Sequence, residues 1–138
     1  MRLSREVREL ADALDEHAAS CEDAARGPDG ALPSTDALHG APLERFSRGQ
    51  WSDAGAAAVL REVAAALRRQ ELPMLRARTW LLAWQVECDC AAEDAMARVA
   101  RAPYGTAREA EVARSAYVLG RAKGARIAAE VCQAVPAS

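Results

Sequence analysis

Apolar residues recur every three or four positions through most of the chain, a spacing that draws four long amphipathic helices. In the first, from Ser4 to about Ala25, the seam reads Leu3, Val7, Leu10, Leu14, His17, Cys21 and Ala24, with Ser4 as N-cap and Gly27-Pro28 as the stop. The second runs from Ser52 to about Gln70, with Val59, Leu60, Val63, Ala66 and Leu67 turned inward and Arg61, Ala65 and Arg68 outward. Pro73 separates it from a third that begins near Met74 and ends at about Arg101, before Ala102-Pro103-Tyr104-Gly105. So short a connection predicts that the second and third helices pack as an antiparallel hairpin. Thr106 and Glu109 have the spacing of a capping box and open a fourth helix that reaches Ala134 before Pro136. Each of the last two spans about 40 Å at ~1.5 Å per residue. Residues 26–50 hold three prolines and four glycines and form a long connection, with a short helix at Pro42 to Ser47 where proline can occupy the first turn.

The predicted fold is therefore all-α: one domain over residues 1–138, an antiparallel four-helix bundle with a long loop after its first helix. Composition sharpens this. Alanine fills about a quarter of the chain, against three tryptophans, two tyrosines and one phenylalanine, so the core must be built from small groups on closely packed helices. The fourth helix carries small residues at every fourth position, Ala116, Gly120, Gly124 and Ala128, flanked by Tyr117, Ile127, Val131 and Val135. Two interior glycines cost about 1 kcal/mol each relative to alanine, which implies a close backbone approach in return. The approaching backbone is either the third helix, slim at Cys88, Ala91 and Ala95, or the fourth helix of a second subunit in a homodimer.

The stretch Thr79 to Cys90, TWLLAWQVECDC, suggests a metal or redox site until helix geometry is applied. Two residues turn a helix through about 200°, so Cys88 and Cys90 face opposite ways and cannot share a metal or close a disulfide. Cys88 lies in line with Ala77, Trp84, Ala91, Ala95 and Ala102, with Trp80 and Leu81 at the margins, an apolar stripe expected on a central, heavily covered helix. Glu87, Cys90 and Asp94 share the other face, which reads as solvated. His17 and Cys21, one turn apart, are half of a zinc site, and the position three residues on is Ala24, not a third ligand. They are expected to be a core histidine and an inert thiol, with no metal and no cofactor. Together with Trp80 and Trp84 they are the candidate lining of a ligand pocket.

A net charge of −2 gives no global attraction to phosphate backbones or anionic membranes. Of eighteen basic residues only Lys123 is lysine, a bias expected of a GC-rich, bacterial coding sequence. Arg68, Arg69, Arg76 and Arg78 crowd the turn before the third helix, with only Glu71 opposing them, and are the candidate anion or nucleic-acid site, although nucleic acid is the disfavoured partner. The opening MRLSREVREL alternates charge with apolar groups, and no run reaches the ~18 apolar residues of a membrane span, so the expected place is the cytoplasm, with reduced thiols. No glycine-rich phosphate loop or convergent catalytic set stands out, and His39 sits in a glycine-proline loop. The expectation is a non-enzymatic protein that works by binding another protein or itself, as adaptor, regulator or assembly component. The alternatives are a ligand- or metal-binding bundle and a DNA-associated regulator.

Overall fold

The computed structural model describes residues 5–37, 42–70 and 74–134, and the described part is all-α. Its helices are α1 (Arg5–Ala25), the single-turn α2 (Pro42–Arg45), α3 (Arg48–Gln70), α4 (Met74–Arg101) and α5 (Thr106–Ala134), with a 3₁₀ turn at Thr35–Ala37. The proposed cap Ser4, the seam residue Leu3, Glu71, Pro73, His39 and the terminal Val135 and Pro136 lie outside the described residues.

The four long helices alternate in direction, the up-and-down arrangement of a four-helix bundle. Antiparallel α1 and α3 are tied by arginines: Arg68 reaches Asp12 at 2.8 Å and Asp15 at 2.7 Å, and Arg61 reaches Asp15 at 3.2 Å and Glu22 at 2.6 Å. α4 turns back onto α5 through Pro103-Tyr104-Gly105. There Gly105 takes φ +104°, and Arg108 stacks on Tyr104 while donating to the Ala102 carbonyl.

The order of packing departs from the expected hairpin. α1 lies on α3, α3 on α5 and α5 on α4, whereas α3 and α4, although consecutive, barely meet among the described residues. In a square bundle of alternating helices α3 and α5 would face each other across the diagonal. Here that diagonal is a principal contact, because the facing helices carry almost no side chain where they cross.

Two boundaries rest on chemistry other than the expected one, and two buried faces on other residues. α3 begins four residues before Ser52, at a reciprocal cap: Ser47 N–H donates to Gln50 Oε1 at 2.8 Å, and Gln50 N–H donates to Ser47 Oγ at 3.2 Å. This extension brings Trp51 into the core, edge-on to Phe46 at 6.0 Å, with its indole N–H donated to the Pro42 carbonyl. Thr106 and Glu109 do not form the predicted box. Glu109 N–H donates to the Gly105 carbonyl, which makes Thr106 the first residue inside α5, and the Glu109 carboxylate instead accepts the Leu43 N–H at the start of α2. The seam of α1 follows the 3.6-residue turn, so Val7, Leu10, Ala11, Leu14, Ala18 and Ala25 are buried while His17 and Ala24 are exposed. In α4 the buried stripe is Ala77, Leu81, Cys88, Ala92 and Ala95, and Ala91, placed in it by the sequence pattern, faces solvent.

Candidate functional site

The small-residue strip of α5 is filled from within the chain, by α3. A side-chain carbon on Gly120 would overlap the Ser52 carbonyl, and one on Gly124 would overlap the Val59 side chain and press on the backbone of Ala56. Gly55 of α3 answers from the other side, with the Tyr117 carbonyl where its own side chain would be. Ala116 and Ala128 are buried along the same line. The partner is thus neither the third long helix nor a second subunit, and the strip is not a free surface. Gly55 went unread in the sequence; its signal, a glycine three residues after Ser52 inside a helical pattern, was there.

Of the four residues read as a pocket, Cys21, Trp80 and Trp84 are partly buried against the same core, and His17 is not. Trp80 and Trp84 stack edge to face on α4 at 5.0 Å and 83°, both partly buried. His17 lies exposed beside Ala13, Glu16 and Ser20 of its own helix. It is therefore not a core histidine. Cys21 is partly buried, its thiol pushed up by burial and by the Asp53 carboxylate. Among the described residues no three His, Cys, Asp or Glu side chains gather closely enough to hold a metal ion.

What does form near the tryptophans is a groove of about 290 Å³ between α4 and α5, lined by Trp84, Glu87, Cys88, Ala91, Val118 and Arg121. The Arg121 guanidinium is engaged by both Glu62 carboxylate oxygens, at 3.0 and 2.8 Å, so its charge is matched before any ligand arrives. Burial pushes the Cys88 thiol up, against the opposing pull of Arg121 and the Trp84 hydrogen bond. A protonated, covered thiol is a weak nucleophile. The arginine cluster disperses too: Arg68 is bound to α1, Arg78 is partly buried beside Cys132, and Arg69 and Arg76 are exposed.

The feature left uncovered is the outer face of α4. This 28-residue helix rests on α5 almost alone, which leaves Leu82 48% exposed, Val86 61% and Met96 57%. At about 100° per residue these three fall within an arc of about 80°. The expectation of a heavily covered helix is thereby corrected: α4, like α1 at the other end of the row, is an outer helix with one principal neighbour. Its apolar first half reflects two flanks, one on α5 and one open. The chain matches no protein-family model, no curated protein and no solved structure.

Proposed function

We propose that this protein acts without catalysis, by associating with another protein through the outer face of α4. The observation that carries the reading is the exposed row Leu82, Val86 and Met96 on a helix with a single principal neighbour. Isolated apolar residues on a surface are ordinary, but a row along one helix is the form taken by helix-mediated recognition. The buried thiols Cys88 and Cys132 support the non-enzymatic part, since burial pushes both up and makes them poor nucleophiles.

The test uses a photo-crosslinking residue placed at Val86 in the producing cells, with the exposed Ala19 of α1 as control. Discrete protein adducts are expected from position 86 and not from 19, and they should vanish when Leu82→Glu is added. Equal adducts from both positions, or none from 86, would remove α4 as the interaction surface.

A further inference from the structure

We infer that the occupant of the α4 face is a second copy of this chain, paired antiparallel about a two-fold axis near residues 84 and 85. The inference rests on the reading of α4 as the interaction helix and names its partner.

Two independent features of the helix agree on this axis. Leu82 and Val86, the exposed apolar pair, have their midpoint at residue 84, so an axis there lays each across the other in the second copy. The exposed charges Arg76 and Asp94 have their midpoint at residue 85, and eighteen residues place them on the same side of the helix at about 100° per residue. In a two-fold antiparallel pair, residues on one flank of one helix meet residues on the same flank of the other. The Arg76 guanidinium of each copy then stands against Asp94 and the exposed Glu93 of its mate, twice per dimer. A parallel pair would instead set Glu93 against Glu93 and Asp94 against Asp94. By the same spacing Asp89 and Glu93 fall inside the arc of Leu82, Val86 and Met96; Asp89 is drawn toward Arg126 of its own chain at 3.8 Å, and Glu93 is met by Arg76 of the mate. The overlap from 74 to 96 is about 33 Å long at 1.5 Å per residue, the length of a multi-turn helix seam.

The same axis supplies a native reporter. Thr79 and Cys90, both exposed, have their midpoint between 84 and 85 and point within about 20° of each other around the helix. In the antiparallel pair Thr79 of one copy lies beside Cys90 of the other, whereas Cys90 and its own equivalent are about 17 Å apart along the seam. The Thr79→Cys chain, oxidised in air with oxygen as the two-electron acceptor, should therefore lose two thiol protons per bond and form a covalent dimer. Adding Cys90→Ser should abolish that dimer, and the native chain should form none. Native mass spectrometry should find the unmodified protein as a dimer. Arg76→Glu should raise the dimer dissociation constant at least tenfold, and Asp94→Arg in the same chain should recover most of that loss.

Covalent dimers of the native chain through Cys90 would overturn the antiparallel arrangement. A monomer at every concentration, with no cross-link from Thr79→Cys, would overturn self-pairing altogether. In that event adducts from position 86 to a different protein would leave α4 as the interaction helix with another partner, and their absence would remove both readings.

Discussion

At the residue scale the four cysteines separate by cover. Cys88 and Cys132 are buried, Cys21 is partly buried and Cys90 is exposed. Thiol labelling with mass mapping should find Cys90 modified first and Cys88 and Cys132 slowest, their amide neighbours having to open before reagent enters. Burial also raises the thiols of Cys21, Cys88 and Cys132, which gives a direction to stability against pH. In the unfolded chain such thiols ionise at about pH 8.5, and in the fold they keep their protons to higher pH. Their contribution is thus whole below about pH 8.5 and declines as pH rises beyond it, because the unfolded state ionises first. Urea melts at pH 7.5 and 9.5 should show the loss, and Cys88→Ala should reduce its size.

At the element scale, helix ends and helix crossings make separate predictions. Ser47 carries a reciprocal cap and Thr106 does not, so Ser47→Ala should cost about 1 kcal/mol while Thr106→Ala costs less than about 0.5 kcal/mol in urea melts. Equal costs would mean that α5 starts on a true capping box after all. At the crossing of α3 and α5 the added methyl of Gly120→Ala meets helix backbone, which cannot rotate away as a side chain can. A loss of roughly 3 kcal/mol or more is expected from such overpacking, seen as a lower melting temperature at every protein concentration. The same change at Gly49, open but for Ser47 Oγ at 3.8 Å, should be nearly neutral.

At the scale of the whole molecule, the succession α1, α3, α5, α4 leaves the two inner helices covered on two sides and α4 mainly on one. Amide exchange should therefore be slowest where α3 crosses α5, around Gly55 and Gly120, and faster in the second half of α4, around Met96. If the α4 faces pair as inferred, that exchange should slow around Leu82 and Val86 as protein concentration rises.

Much of the secondary structure was legible in the sequence because it depends on local spacing. The breaks at Gly27-Pro28 and Pro103-Tyr104-Gly105 and the inward set Val59, Leu60, Val63, Ala66 and Leu67 read correctly from neighbours along the chain, whereas the seam drawn along α1 drifted off the 3.6-residue turn at His17 and Ala24. So did the cost implied by Gly120 and Gly124, which announced that some backbone must come close. Which backbone came close was decided only in three dimensions. A glycine states how near a partner can approach and carries no side chain to say which partner it is, so α3 with its own Gly55 could not be told from α4. The Glu109 carboxylate, likewise, had a local partner in the sequence and took a distant one in α2, because folding brought the Leu43 N–H within 3.0 Å. The exposed face of α4 follows from the same choice: once α3 closed on α5, α4 was left with one helix to cover a surface whose apolar residues point two ways.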